Sequence, residues 1–302
     1  MTFDVVIAGG GPAGLSAALN LGRARKRVLL CDAGPRRNAA AEQVHGFVTR
    51  DGTTPAEFRR AGRQQLEPYP NVEARDAVVE EVRGERGAFE VRLATGTVEA
   101  RRILLCTGMI DELPDLDGFR DLWGRSIFQC PYCHGWEVQN RKFGFLAPEV
   151  DLVDFALFLR GWASDVTVLT DGRYTVPPEL QRRLSTGGVR LEERRIARLS
   201  AREGELDHVE LAGGSPLRLE VLFARPPQRQ VGLVQSLGLA LDPGGYVRVD
   251  EHRQTSVPGI YAAGDLTTSA QSALLAAASG FQAAAMLNHE LTLELAASGA
   301  LP

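Results

Sequence analysis

The 302-residue sequence has little excess charge and no long apolar run. Its formal net charge is −4, so it lacks the basic footprint typical of nucleic-acid binding. The most apolar stretch, near residues 273–287, is rich in alanine and is interrupted by Ser279, Gly280 and Gln282. It is shorter than the ~20 residues of a membrane span and predicts a buried helix. The amino terminus lacks a secretory signal pattern, so we expect a globular cytoplasmic protein that binds neither nucleic acid nor membranes.

Cysteine is scarce as well, which excludes a structural disulfide framework in a reducing compartment. The only close pair lies in Cys130-Pro131-Tyr132-Cys133-His134-Gly135. Such a pair can be half of a zinc site, a redox dithiol or, with the following histidine, a haem attachment site. Zinc would need further ligands at suitable spacing, and the other histidines are scattered. Haem attachment normally follows export. The sequence therefore favours a redox dithiol and no metal.

The amino-terminal segment carries a glycine-rich turn in a defined context. Residues 3–8 (FDVVIA) predict a buried parallel strand, and the turn Gly9-Gly10-Gly11-Pro12-Ala13-Gly14 follows directly. A helix and a second strand (RVLLCD) come next, and that strand ends at Asp32, 18 residues after Gly14. This order of elements is the dinucleotide-binding fingerprint. A glycine-rich turn without a ligand is the alternative, and the surrounding elements disfavour it.

Each residue of this fingerprint has a physical task. Gly9 permits the tight turn, Gly11 lets the backbone approach a pyrophosphate, and Gly14 allows helix and strand to pack closely. The amino terminus of the helix that follows the turn supplies partial positive charge. Asp32 is placed to accept hydrogen bonds from a ribose.

Two later segments predict further contacts with the same ligand. The strand-like run 102–106 ends at Thr107-Gly108, and the run 255–265 (TSVPGIYAAGD) ends at Gly264-Asp265. A long helix is expected from about Ala270. Asp265 would accept hydrogen bonds from the ribitol or phosphate side, and the helix amino terminus would point at an electron-rich ring.

These motifs together resemble the thioredoxin reductase family of small FAD-dependent disulfide oxidoreductases, over almost the whole chain. The resemblance implies an α/β fold with two Rossmann-like domains. The FAD domain would be discontinuous, comprising residues 1–112 and 246–302, with a smaller NAD(P)H-domain-like region inserted at 113–245. It also implies a homodimer.

The resemblance assigns roles to individual residues. Cys133 would face the flavin and Cys130 would exchange with the substrate disulfide. His134 is the expected general acid or base, since an imidazole titrates near neutral pH; a water-facing helix residue is the alternative. Gln271 and Ser272 match the segment that meets the isoalloxazine ring. The residues predicted to bind FAD are Gly9, Gly11, Pro12, Ala13, Gly14, Asp32, Asn38, His45, Gly108, Gly264, Asp265, Gln271 and Ser272. His45 could equally be a hydrogen-bonding loop residue.

The sequence departs from the family where NADPH should bind. Segment 142–169 has the expected strand, helix, strand character, but Ala147-Pro148-Glu149 stands where the family has glycines. Side chains there, and the Glu149 carboxylate in particular, would obstruct a pyrophosphate. The basic cluster for the 2′-phosphate is replaced by Thr170-Asp171-Gly172-Arg173. We therefore predict that NADPH is not used in the usual way.

The CPYCHG form is similar to that of dithiol oxidases that close disulfides in natural products such as gliotoxin and holomycin. The missing nucleotide motifs also resemble flavoproteins that take electrons from ferredoxin or hold a second flavin. The sequence thus favours a flavin-dependent thiol/disulfide oxidoreductase acting on a disulfide or dithiol, carried by a small protein such as thioredoxin or by a small molecule. Ferredoxin or oxygen would be the redox partner. A conventional NAD(P)H-dependent thioredoxin reductase and a non-catalytic flavin-binding protein are the alternatives.

Overall fold

A computed structural model describes residues 2–33 and 36–300. The strands, in chain order, are β1 (Thr2–Ala8), β2 (Val28–Cys31), β3 (Val72–Arg75), β4 (Val79–Glu85), β5 (Ala88–Leu93), β6 (Gly96–Leu105), β7 (Ile110–Asp111), β8 (Ile127–Phe128), β9 (Lys142–Leu146), β10 (Asp165–Leu169), β11 (Val189–Glu192), β12 (Ile196–Arg202), β13 (Glu205–Leu211), β14 (Leu217–Arg218), β15 (Val221–Ala224), β16 (Gln228–Arg229) and β17 (Ile260–Ala262).

The helices are α1 (Pro12–Arg23), α2 (Pro55–Gln64), α3 (Phe119–Leu122), α4 (Pro131–His134), α5 (Phe155–Leu159), α6 (Pro178–Thr186), α7 (Gly232–Ser236) and α8 (Ala273–Ala297). Short 3-10 helices cover Arg37–Ala40, Val150–Leu152 and Asp265–Thr267.

The chain divides into two compact units. The first comprises Met1–Ala39, Phe47–Ile110 and Gln228–Pro302, and the second comprises Ala40–Gly46 and Asp111–Pro227. These bounds differ from the predicted domains at three places, of which the first is a shift of two residues, since residues 111–112 belong to the second unit. Residues 228–245 belong to the first unit because Val234 and Leu239 are buried in its core. The short segment Ala40–Gly46 belongs to the second unit, although the chain on both sides of it belongs to the first.

The first unit is built on a mostly parallel sheet. Its strand order is β3-β2-β1-β6-β5-β4, and β17 pairs with β6. Strands β1, β2, β3, β6 and β17 are parallel, whereas β4 and β5 are antiparallel additions. The central strands read as unbroken apolar runs because both faces are covered. Helices α1 and α8 contact each other and cover one face, and a second apolar cluster that includes Phe89 covers the other.

The second unit holds a smaller parallel sheet of order β11-β10-β9-β15-β8 and an antiparallel sheet β12-β13-β14. Aromatic side chains, among them Phe143, Phe145 and Phe223, fill the core of the parallel sheet. A parallel sheet in each unit confirms the predicted α/β fold class.

Two predicted helices differ from those observed. Segment 142–169 has its two strands, but the helix between them is reduced to a 3-10 turn and the five residues of α5. No side chain caps the start of either piece, and Gly161 follows them. The helix expected from about Ala270 begins at Ala273, because the Ser272 hydroxyl accepts a hydrogen bond from the Leu275 amide at 3.1 Å and thereby caps it.

A buried charge network ties α8 to the sheet. Arg102, on β6, is fully buried and donates to the Glu294 carboxylate at 2.6 Å. The Tyr261 hydroxyl donates to Glu290 on the same helix. Buried charges persist only when they are paired, so this network fixes the position of α8.

Within residues 2–33 and 36–300, no helix combines the length and the apolarity needed to cross a membrane. In the same ranges, no group of three or more histidine, cysteine and acidic side chains is arranged to hold a metal ion.

Candidate functional site

The glycine-rich turn joins β1 to α1 in the first unit. Gly9 has φ +110°, and a Cβ placed there would lie 2.2 Å from the Cys106 carbonyl oxygen. A Cβ at Gly14 would lie 1.8 Å from the Gly9 carbonyl oxygen. Close packing therefore demands both glycines. Among the described residues, no atom other than those of its chain neighbours lies within 4 Å of a Cβ placed at Gly11. The space beside Gly11 is thus open, as the approach of a pyrophosphate requires.

The helix begins at Pro12, within the segment Gly9 to Gly14 that the sequence predicts as the turn. Gly11 is the N-cap residue of α1 and makes no side-chain cap, and Pro12 occupies the first helical position, where its missing amide is not needed. Ala13 packs against Gly264, whose added Cβ would lie 3.1 Å from the Ala13 Cβ. The segment after β17 therefore reaches the start of α1, which the sequence pattern alone could not establish.

Asp32 follows β2, as predicted, but it already has a partner. Its carboxylate forms an ion pair with Arg59 on α2, and only 18% of the Arg59 side chain is exposed. The sequence pattern gave no signal for Arg59, which lies 27 residues further along the chain. A carboxylate that is ion-paired with an arginine can still accept a hydrogen bond from a ribose hydroxyl.

Thr107 and Gly108 follow β6, and the Thr107 side chain offers a hydroxyl that could hydrogen-bond to a ligand. The buried Thr107 hydroxyl has no hydrogen-bond partner among the residues that the structure describes, and no atom lies within 4 Å of a Cβ placed at Gly108. Buried hydroxyls are normally hydrogen-bonded. Together with the space at Gly11, this orphaned hydroxyl fits a bound dinucleotide such as FAD.

Arg37 links the predicted FAD residues of the carboxy-terminal segment. Its guanidinium donates to the Asp265 carboxylate at 2.9 Å and to the Gln271 side-chain oxygen at 2.6 Å. Ser272 caps α8, and Asn38 is exposed in the 3-10 helix that contains Arg37. Arg37 was missed in the sequence because its partners lie more than 220 residues away.

His45, the remaining predicted FAD neighbour, lies in the second unit. Its Nε2 is 3.4 Å from Oε1 of Glu137, and 15% of its side chain is exposed. The structure therefore places His45 in the same compact unit as the cysteine pair, and apart from the unit that holds the other predicted FAD residues.

The cysteine pair forms a disulfide at the start of α4. Cys130 is the N-cap residue, Pro131 opens the helix, and the two Cα atoms are 5.3 Å apart. Cys133 lies within the helix. Cys130 therefore lies immediately before the helix and Cys133 in its first turn.

His134 follows Cys133 and is turned inward. Its ring stacks on Phe128 with centroids 4.4 Å apart and planes 14° apart. Both ring nitrogens are buried, and neither has a hydrogen-bond partner in the described part of the chain. This burial lowers the pKa of His134, against a smaller opposing effect of the Glu137 carboxylate. A neutral imidazole that can accept a proton is therefore favoured at neutral pH, and the water-facing alternative does not describe this side chain.

An exposed group of rings flanks the disulfide. Tyr132, between the two cysteines, is 74% exposed, and its ring lies 5.5 Å from that of Phe158 and 5.6 Å from that of Trp162. We call Tyr132, Phe158 and Trp162 the aromatic surface. The sequence carries one signal for this surface, the tyrosine between the two cysteines, and no signal for Phe158 or Trp162.

The turn after β9, where a nucleotide would bind, is occupied by protein groups. Tyr174 donates a hydrogen bond from its hydroxyl to the carbonyl of buried Ala147 at 3.0 Å. Burial raises the pKa of Tyr174 to about 12, so the phenol keeps the proton that it donates. Glu149 then caps the following 3-10 helix with its backbone. The turn is thus held by a side chain where the family pattern has a glycine cradle.

The sequence pattern of the pyridine nucleotide-disulphide oxidoreductases matches residues 3–280. The chain belongs to this family. Within it the chain is thioredoxin reductase-like: thioredoxin reductase tcpT of Claviceps purpurea is 32% identical, over 97% of this chain and 95% of that protein. The predicted family resemblance is thereby confirmed, and membership implies a bound flavin.

Solved structures agree with this assignment. An oxidoreductase from Agrobacterium tumefaciens is 38% identical with a TM-score of 0.91, covering 97% of this chain and 99% of that one. The structure of HlmI is 37% identical with a TM-score of 0.92, covering 99% of this chain and 95% of that one. The two-domain Rossmann-type fold is therefore shared over the full length of this family member.

Proposed function

We propose that this family member is an FAD-dependent dithiol oxidase that passes electrons from a substrate dithiol through Cys130 and Cys133 to the flavin and then to oxygen, without NADPH. The observation that carries the proposal is the Cys130–Cys133 disulfide with an unpaired, buried imidazole beside it. A disulfide of this kind accepts an electron pair from thiols without any other group.

The exchange can be written with all atoms accounted for. One substrate thiolate attacks Sγ of Cys130, which forms a mixed disulfide and releases the Cys133 thiolate. The second substrate thiolate then attacks the substrate sulfur of that mixed disulfide, which closes the product and releases the Cys130 thiolate. His134, held neutral by burial, accepts one of the two protons that the substrate loses. A bound FAD would supply the acceptor for the electron pair of the reduced cysteines, and oxygen would be the final acceptor of that pair.

The absence of a glycine cradle supports a route without NADPH. A pyrophosphate needs free backbone amides and space for close approach. In the second unit Tyr174 holds the Ala147 carbonyl, and the Glu149 carboxylate follows two residues later. In an enzyme that has no pyridine-nucleotide donor, the simplest route for electrons leads from the substrate dithiol to oxygen. The reverse steps, with ferredoxin as donor, would make it a disulfide reductase. A homodimer, as the resemblance implies, is part of the same proposal.

Anaerobic mixing tests this proposal against its alternatives. We expect a small dithiol such as dithiothreitol to bleach the flavin absorbance and NADPH to leave it unchanged, because only the thiol reaches a competent acceptor. Dithionite serves as the control, since it should bleach the flavin in either case. Rapid bleaching by NADPH would support a conventional NAD(P)H-dependent thioredoxin reductase instead. Bleaching by dithionite alone would support a non-catalytic flavin-binding protein.

The aromatic surface supports a substrate with an apolar face next to its sulfurs. We expect Tyr132→Ala to raise KM for an apolar dithiol roughly fivefold, since an aromatic contact contributes about 1 kcal/mol beyond the area it buries. Tyr132→Phe retains the ring and is the matched control, with KM near that of the parent protein. Steady-state oxygen consumption measures both variants. An unchanged KM in Tyr132→Ala would remove the aromatic surface from substrate binding.

A further inference from the structure

The segment Ala40–Gly46 brings a second histidine to the unit of the cysteine pair. It packs against the second unit at Gly124, where an added Cβ would lie 2.6 Å from the Ala40 Cβ. The His45 side chain is mostly buried, and its Nε2 lies 3.4 Å from Oε1 of Glu137. From its sequence position we predicted a place near FAD, but its charged neighbour in the structure is Glu137.

Glu137 is in turn placed beside His134. The helical turn that begins at Pro131 continues past the end of α4, with the Gly135 amide donating to the Pro131 carbonyl at 2.7 Å and the Val138 amide to the His134 carbonyl at 3.3 Å. In such a turn, side chains three residues apart lie on the same side. Glu137 therefore lies on the same side of the turn as His134, and its carboxylate is the one that His45 approaches.

Among the described residues, the groups that act on the His134 ring are the uncharged ring of Phe128, the side chains of Glu137 and His45, and the backbone of Cys130. The Phe128 ring covers one face and carries no charge. The Glu137 carboxylate favours protonated His134, whereas the charge of His45 and the burial of the ring disfavour it. The cysteine pair is uncharged as a disulfide and acquires negative charge only after reduction. Burial is therefore the main influence on the pKa of His134, and Glu137 and His45 shift that pKa in opposite directions.

We infer that His45 and Glu137 are positioning residues that set the charge on His134, and through it the pH range in which the cysteine pair exchanges with thiols. The effect on thiol exchange rests on the proposed function, whereas the effect on the charge of His134 does not. A change in this pair would move the pH profile of exchange without touching either cysteine.

The test uses the full-length holoprotein with its disulfide intact. His134 can be titrated by NMR of protein labelled at its five histidines, and its signal is identified by its loss in His134→Asn. We expect Glu137→Gln to lower the pKa of His134 and His45→Gln to raise it, each by about half a unit, because they remove opposite charges. His45→Lys places a cation opposite Glu137 and, unlike His45→Gln, should not raise the pKa of His134.

Glu205→Gln is the matched control. Glu205 pairs with Arg141 at 2.9 Å elsewhere in the same unit, so its loss removes a carboxylate without changing the surroundings of His134. Shifts of opposite sign in Glu137→Gln and His45→Gln support the inference. Shifts of the same sign, or shifts no larger than that of Glu205→Gln, overturn it.

The pH dependence of flavin bleaching by dithiothreitol then separates this inference from the proposed function. If exchange occurs, its profile should move to lower pH in Glu137→Gln and to higher pH in His45→Gln, in step with the NMR titration. If no variant or parent exchanges with thiols while the NMR shifts are opposite, the proposed function fails and the charge balance at His134 stands.

Discussion

Cys133→Ser should reduce thiol-dependent turnover by roughly 10³-fold or more, because no other group in the proposed pathway can replace a covalent nucleophile. Flavin content as purified should not change, since the fingerprint residues lie in the other unit. Cys130→Ser should have an equal effect on turnover, because the two thiols act as one acceptor. Oxygen consumption with a small dithiol measures turnover, and absorbance after denaturation measures the flavin.

Cys31→Ala is the matched control for loss of a thiol. Cys31 is buried in the first unit, and burial raises its pKa to about 11, so it remains a protonated, unreactive thiol. Burial raises the pKa of Cys106 as well. Turnover in Cys31→Ala should equal that of the parent protein, with a stability loss of about 1 kcal/mol from the small cavity. Turnover that survives Cys133→Ser would contradict the proposed route.

The sequence predicted those features that a local motif determines. The strand, turn and helix around Gly9, Gly11 and Gly14 are confirmed because the backbone geometry of the turn requires particular residues at fixed spacing. The same holds for the start of α4 at Cys130, where proline opens the helix. The length of the helix in segment 142–169 was overestimated. Its apolar residues suit a helix, but no side-chain cap fixes its start.

The partners of the predicted residues could not be read from the sequence. Arg59 pairs with Asp32, and Arg37 joins Asp265 to Gln271, through contacts between residues far apart in the chain. The local sequence around an arginine does not indicate which distant carboxylate it will pair with. His45 shows the same limit, because its position in a loop after β2 says nothing about its packing with Glu137 in the second unit.

Gly11→Ala should weaken FAD binding by about 100-fold while leaving the stability of the apoprotein within about 0.5 kcal/mol of the parent. Gly11 has φ −75° and an extended ψ of −172°, which alanine adopts freely. Within residues 2–33 and 36–300, no atom beyond the adjacent residues of the chain lies within 4 Å of the added methyl group. Only a ligand that approaches the backbone at this point would meet the methyl group.

Gly14→Ala provides the contrast, since its methyl group would lie 1.8 Å from the Gly9 carbonyl oxygen. This substitution should destabilise the apoprotein itself by about 1–3 kcal/mol through overpacking. Urea unfolding of the apoproteins and fluorescence titration with FAD measure the two effects separately. If Gly11→Ala destabilised the apoprotein as strongly as Gly14→Ala, glycine would be required at position 11 for folding and not for binding of the ligand. If it bound FAD as tightly as the parent, the pyrophosphate would lie elsewhere, because a methyl group cannot share that space with a phosphate in contact with the backbone.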